Sequence, residues 1–160
     1  MPWGSNLPVL ALEQIEARMR EVESRYHRLA LVVGTAGSGK TDLLYKLSDK
    51  LGFPRINVNL SLSARLLEIH ADRRSMYVSR IMSRIVSELN TRSVILDNTE
   101  MLFHPYLQTD PLKLFQNLSR NLTIVASWHG ALEDGELVFA APGWREYRRY
   151  PATDIAMVCL

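Results

Sequence analysis

The sequence predicts an α/β fold, a three-layer α/β/α sandwich around a mainly parallel five-stranded sheet. Three observations predict it. Short β-branched or apolar segments at residues 29–33, 94–96, 123–127 and 155–160 alternate with stretches of helical periodicity. Several of those segments are wholly apolar, so both faces of the sheet need covering. Finally, a glycine-rich turn from Gly34 to Thr41 joins the first strand to the helix that follows it.

The elements follow in order. Across residues 8–26, Val9, Leu12, Ile15, Met19, Val22 and Tyr26 recur three or four apart with Glu and Arg between them, the stripe of an amphipathic helix. Such a stripe packs on the domain's own sheet, with a partner subunit as the alternative. Residues 1–27 thus read as an N-terminal helix, and 28–160 as the core of a single domain. The first strand and the loop lead into a helix from Asp42, which Gly52 and Pro54 stop. Residues 55–60 alternate as a second strand, and Ser61 or Ser63 caps a helix carrying Leu66, Leu67 and Ile69. A further helix covers about 77–89, and residues 94–96 form a strand ending at Asp97. Asp110-Pro111 is an N-cap followed by proline at the first helical position, opening a helix to about Arg120. The strand at 123–127 comes next, then a turn region from Gly130 to Gly135, an extra extended segment at 137–140, and a last strand at 155–160.

Gly34-Thr35-Ala36-Gly37-Ser38-Gly39-Lys40-Thr41 fits G-x-x-x-x-G-K-[ST], with strand before it and helix after. Gly34, Gly37 and Gly39 let successive backbone N–H groups turn inward on a phosphate, and the dipole of the new helix adds to the pull. Lys40 contributes a full charge, and the Thr41 hydroxyl is placed to hold a Mg²⁺ that bridges phosphate oxygens. Residues 34–42, Asp42 included, are therefore the candidate ATP-binding segment.

Ligands of parallel α/β sheets bind beyond the carboxyl ends of the strands, and this directs attention to three further places. Asp97 leaves its strand on that edge and is the candidate second holder of Mg²⁺, with a helix cap as the bland alternative. Glu100 is the nearest acid to a catalytic position occupied by Asn98; it either polarises the attacking water or is merely the first-turn acid of the next helix. At the end of the fourth strand, Ser127 and His129 are candidates to touch the γ-phosphate, whereas Trp128 reads as packing. Arg145, Arg148 and Arg149 precede the last strand, and Arg148 or Arg149 is the candidate arginine reaching a neighbour's γ-phosphate. Arg120 is a weaker candidate. The alternative for these arginines is a solvated basic stretch or a DNA contact, to which Tyr147 and Tyr150 would add stacking.

Composition narrows the setting. The chain has 160 residues, 47% hydrophobic and 22% charged, with a net charge of +2. That charge is too small to argue nucleic-acid binding in bulk. No apolar run reaches the length of a membrane span, and residues 1–6 lack a signal-peptide pattern. Cys159 is the only cysteine, which fits a reducing, cytoplasmic setting. His27, His70 and His104 lack metal-ligand spacing, so no zinc site is expected.

These residues resemble the BrxF family, the small P-loop proteins of type 3 bacteriophage-exclusion (BREX) systems, themselves similar to additional-strand, AAA+-like P-loop NTPases. The resemblance runs through residues 31–41, 57–60 and 95–103, Asp110-Pro111-Leu112, residues 118–121, Pro142-Gly143 and residues 146–151. It implies a P-loop NTPase with an AAA+-like core, Mg-ATP as cofactor, self-association, and a role in antiviral defence beside a DNA methyltransferase and other large components. Asn98, and the absence of a helical lid after Leu160, depart from the broader ATPase pattern and point to weak or conditional hydrolysis. Two functional readings stand: an ATPase, or a nucleotide-dependent switch that recruits partners without turnover. A small-molecule kinase is disfavoured because no acceptor-site signature is visible.

Overall fold

A computed structural model of the chain describes residues 2–139 and 148–160. Its elements are α1 (Pro2–Val22), β1 (Leu29–Gly34), α2 (Lys40–Leu51), β2 (Arg55–Asn57), α3 (Val58–Leu66), α4 (Arg74–Glu88), β3 (Ser93–Asp97), α5 (Pro111–Leu118), β4 (Thr123–Glu133), β5 (Glu136–Phe139), β6 (Arg149–Pro151) and β7 (Ala156–Cys159). Short 3₁₀ turns at Ala71–Arg73, Glu100–Phe103 and Pro105–Leu107 fill the connections.

Five strands run parallel in the order β2-β3-β4-β1-β7. Strand β4 therefore lies between the strand that feeds the glycine loop and the strand that ends at Asp97. The period-two alternation of β1 divides the core. Ala30 and Val32 face α1 and α2, packing with Ile15, Met19, Val22, Leu43, Leu44 and Leu47. Leu31 and Val33 face the opposite layer, with Leu62, Met82, Val86 and Phe115 from α3, α4 and α5. Each fully buried Leu or Ile here is worth about 1.5–3 kcal/mol over an exposed one, so the two layers are held largely by these contacts.

Several boundaries differ from the sequence expectation, and the differences have causes. The expected strand at 55–60 stops at Asn57. The cap is Asn57, whose side chain accepts from the Leu60 N–H at 3.1 Å, and not Ser61 or Ser63. Val58, Leu62 and Leu66 are buried at helical spacing while Leu60 is 67% exposed, so burial with a four-residue period outweighs the local alternation. Helix α1 ends at Val22, leaving Tyr26 exposed and outside it, and Val9 is exposed too; only Ile15, Met19 and Val22 of the expected stripe are fully buried. Helix α4 starts at Arg74, ahead of the expected 77, and α5 ends at Leu118, short of Arg120.

The largest difference lies beyond residue 127. β4 continues to Glu133 and folds back on β5 as an antiparallel hairpin, with Glu133 opposite Glu136. Asp134 and Gly135 form its tip, both at positive φ (49° and 76°), the conformation that suits a two-residue hairpin. β6 extends this ribbon through pairs such as Leu137 with Tyr150. The expected extra segment is thus a strand, Glu136–Phe139, and Ala140 lies outside the described residues.

Candidate functional site

The parallel strands bring their carboxyl ends to one edge, and the candidate residues gather there. In register, Gly34 stands opposite His129, and Asp97 opposite Asn57. A cavity of about 480 Å³ opens at this edge, lined by Ala36, Gly37, Gly39, Lys40, Thr41, Asp42, Asp97, Glu100 and His129.

The loop has the backbone its glycines permit. Gly37 and Gly39 hold φ of 78° and 99°, with open space where a Cβ would stand. A Cβ on Gly34, by contrast, would collide with the Ser38 hydroxyl. Among the described residues that buried Oγ has no hydrogen-bond partner, an orphaned donor inside the loop. Gly39 is the N-cap of α2 but supplies no side-chain cap, so the first turn of the helix offers uncapped N–H groups toward the cavity. Asp42, in that turn, pairs with Lys46 at 2.9 Å on the outer side.

Lys40 is 8% exposed and donates to the carbonyls of Gly34 at 2.8 Å and Thr35 at 2.9 Å. These bonds fold the ammonium back over its own loop. Burial pushes its pKa below the usual lysine value, while the charges of Glu100 and Asp97 oppose that shift.

Asp97 is 2% exposed, and both its oxygens are engaged. Oδ1 accepts from the Asn98 N–H at 2.8 Å, and Oδ2 from Arg55 Nη1 at 3.3 Å. After it the chain turns sharply: Asn98 takes a left-handed φ of 52°, and Glu100 opens a 3₁₀ turn. The strand end thus curls, and Glu100 both lines the cavity and is the first-turn acid of the following turn. Asn59, from the first turn of α3, donates its amide to Glu100 Oε2 at 3.1 Å.

Ser127 is placed differently. It is 1% exposed and does not line the cavity. The Thr99 hydroxyl donates to the Ser127 carbonyl at 2.6 Å and lies 3.4 Å from the Ser127 hydroxyl, so this pair ties the Asp97 loop to β4. Trp128 is fully buried, its Nε1 donating to the Val138 carbonyl at 3.1 Å and its ring edge-on to Phe103. Arg149 lies in β6, where it pairs with Glu136 at 3.1 Å and Glu133 at 3.6 Å of its own chain. Tyr150 is turned inward, edge-on to Trp128, with its hydroxyl donating to Asp110 at 3.0 Å. Arg120 lies over the Tyr26 ring, away from the cavity-lining residues. Arg148 hydrogen-bonds Tyr150, whereas Arg145 and Tyr147 lie outside the described residues.

Arg55, Asn59 and Thr99 shape the site without having been singled out from the sequence. The one sequence signal was the Asn57-x-Asn59 pair, in which one asparagine caps α3 and the next reaches Glu100.

Among the described residues, no group of three or more His, Cys, Asp or Glu could hold a metal ion. The donors that do converge, the Thr41 hydroxyl and the Asp97 carboxylate, are hard oxygens lining one cavity. They fit Mg²⁺ completed by phosphate oxygens and water, the usual state of this reluctantly dehydrated ion. No helix among the described residues is long and apolar enough to cross a membrane.

Glycine loop, inserted β4 and helices on both faces make this a P-loop NTPase-like α/β/α sandwich. No protein-family model matches the chain, and no curated protein matches it. Among solved structures it is similar to PCH-2 of C. elegans, at 20% identity and a TM-score of 0.44. That match covers 76% of this chain and 37% of the other, so the chain spans little more than a third of that neighbour's length.

Proposed function

We propose that the protein binds Mg-ATP in the cavity between the glycine loop and Asp97, and hydrolyses it at a low or conditional rate. One observation carries this reading: the loop, Lys40, Thr41, Asp97, Glu100 and His129 line a single cavity on the carboxyl edge of the sheet. The loop amides and Lys40 would hold the phosphates, and Thr41 with Asp97 would hold the metal, which when bound neutralises charge building on the phosphate oxygens. Glu100, steadied by Asn59, is the one carboxylate besides Asp97 and Asp42 among the described residues of the cavity lining, and is the proposed base for the attacking water. His129 is the proposed contact to the γ-phosphate.

Self-association, with Arg148 or Arg149 serving a neighbouring copy, belongs to this proposal and draws on their place before the last strand. So does the setting in a BREX-type antiphage complex beside a methyltransferase, with DNA as a further contact; its support is the resemblance of residues 95–103 and 146–151. The second reading, a switch without turnover, is favoured by Asn98, which occupies the residue after Asp97 and cannot accept a proton as a carboxylate does.

Nucleotide binding and phosphate release, measured across protein concentrations, decide between these readings. The ATPase reading expects turnover that rises with association, falls at least about a hundredfold in Lys40→Ala, and falls strongly in Glu100→Gln. Tight binding without turnover, even with DNA and partner proteins present, establishes the switch. Equal turnover of Arg149→Ala at high concentration removes that residue from the shared-site proposal, and the same comparison applies to Arg148→Ala.

A further inference from the structure

We propose that Arg55 is a resident counter-ion of Asp97 that keeps free divalent metal out of the site, so that the metal enters only together with the nucleotide. The inference rests on the reading of Thr41 and Asp97 as the metal-holding pair.

The placement comes from strand register. Arg55 stands two residues before Asn57 on β2, and Asn57 is the partner of Asp97 on β3, so the two charged residues share one face of the sheet. Arg55 Nη1 then reaches Asp97 Oδ2 at 3.3 Å, and the Tyr45 ring of α2 lies 5.7 Å from the guanidinium carbon. Arg55 keeps 29% of its side chain exposed and does not line the cavity, whereas Asp97 does. The guanidinium therefore approaches the carboxylate from the outer strand, behind the cavity wall.

Charge at the site is balanced: Lys40 and Arg55 stand against Asp97 and Glu100, and the third carboxylate of the lining, Asp42, is paired with Lys46 at 2.9 Å. A guanidinium stays charged at any working pH, so this balance does not titrate away. A hydrated Mg²⁺ arriving alone would meet a neutral site, one carboxylate already paired, and a second cation beside it. Mg²⁺ gives up its waters reluctantly and needs more than that. A metal arriving on a nucleoside triphosphate brings its own anionic oxygens, and the phosphates find Lys40 and the loop amides. Arg55 thereby ties metal occupancy to nucleotide occupancy.

The test is Mn²⁺ binding to nucleotide-free protein, followed by loss of the free Mn²⁺ electron paramagnetic resonance signal. Wild type and Arg55→Lys are expected to show only weak binding. Arg55→Gln leaves the site one charge more negative and is expected to bind Mn²⁺ at least about tenfold more tightly. That gain is expected to vanish in Arg55→Gln/Asp97→Asn. Tyr45→Ala, which removes a 59% exposed ring, is expected to shift affinity in the same direction by less, and it decides the matter if Arg55→Gln does not fold. Unchanged or weaker Mn²⁺ binding in the variant that folds overturns the proposal, as does a gain that survives Asp97→Asn. Mn-ATP binding to wild type is read in parallel. Its absence overturns the nucleotide reading, while its presence with no Arg55 effect overturns only the counter-ion.

Discussion

Asn59 holds Glu100 with its side-chain amide at 3.1 Å, and its carbonyl oxygen accepts the Met101 N–H at 3.0 Å. Its own backbone N–H donates to the Asn98 carbonyl at 3.0 Å, so one residue at the start of α3 clamps Asn98, Glu100 and Met101 of the loop after Asp97. Asn59→Ala removes both side-chain bonds and is expected to cost about 1–2 kcal/mol of stability. Nucleotide affinity should change less than threefold, because the phosphate loop is untouched. Phosphate release should fall at least about tenfold if Glu100 is the base, since a base must be held within hydrogen-bond reach of its water. Urea denaturation, nucleotide titration and single-turnover release separate these effects. Unaltered release with the expected stability loss would reduce the clamp to a structural contact.

Lys40 gives the site a pH dependence of definite sign. Its pKa lies below the usual 10.5, chiefly through burial. In the free protein the ammonium therefore loses its proton at lower pH than an exposed lysine, and phosphate affinity should weaken as pH rises through that lowered value. A bound triphosphate favours the charged form, so binding at alkaline pH should take up protons. Calorimetry in buffers of different ionisation enthalpy detects the uptake. Lys40→Arg should abolish it, because a guanidinium does not titrate there. The same shift acts on folding. Between the lowered value and 10.5 the unfolded chain binds the extra proton, so the Lys40 contribution to stability rises with pH across that window.

The legible part of the molecule was whatever the chain must write locally. The glycine loop needs glycine at Gly37 and Gly39, and the Asp110-Pro111 cap needs an oxygen followed by a fixed φ; both are visible as residue types at fixed spacing. The nine lining residues among those described were all candidates on that basis, because strand ends and the loop share an edge in a parallel sheet. What was not legible depends on partners distant in the chain. Arg55 finds Asp97 across 42 positions through strand register, and Asn59, in the first turn of α3, finds Glu100 across 41 in the turn that follows β3. The helix start at Val58 was hidden because Ile56, Val58 and Leu60 alternate like a strand, and only packing of Leu62 and Leu66 decides otherwise. The Asp134-Gly135 tip was a readable signal, read as a turn region and not as a hairpin.

Gly130 is where that hairpin closes. A Cβ there would run into the backbone carbonyl of Val138, the same oxygen that accepts the Trp128 Nε1 proton at 3.1 Å. Backbone cannot move aside without breaking the pairing of Gly130 with Phe139. Gly130→Ala is therefore expected to destabilise by about 3 kcal/mol or more, the upper end of overpacking effects. Because His129 is adjacent and lines the cavity, nucleotide affinity should fall as well, which a substitution at the exposed Leu132 should not cause. Urea midpoints together with near-ultraviolet circular dichroism of the buried Trp128 check both expectations. A well-folded Gly130→Ala with unchanged spectrum would show that the hairpin tolerates a wider approach.

Tyr150 links β6 to the start of α5, where its hydroxyl donates to Asp110 Oδ1, the oxygen that also caps the helix by accepting the Lys113 N–H at 3.1 Å. Burial above all, reinforced by the neighbouring Asp110 charge and opposed by Arg148, pushes the phenol up to about 12. An unfolded tyrosine ionises near pH 10, so between about 10 and 12 the unfolded chain releases the proton that the folded chain keeps. The stability contributed by this hydroxyl is thus complete below pH 10 and is lost as pH rises through about 12. Tyr150→Phe should flatten that part of the pH–stability curve and cost about 1.5–3 kcal/mol at neutral pH, the range for a hydrogen bond to a charged acceptor. Asp110→Asn, which keeps a capping oxygen, should cost less, while Asp110→Ala loses both the cap and the tyrosine's partner and should cost more. Absorbance of the phenolate in wild type and Tyr150→Phe isolates one tyrosine of the six in the chain. A difference titration centred near pH 10 would place that hydroxyl in water and remove the link.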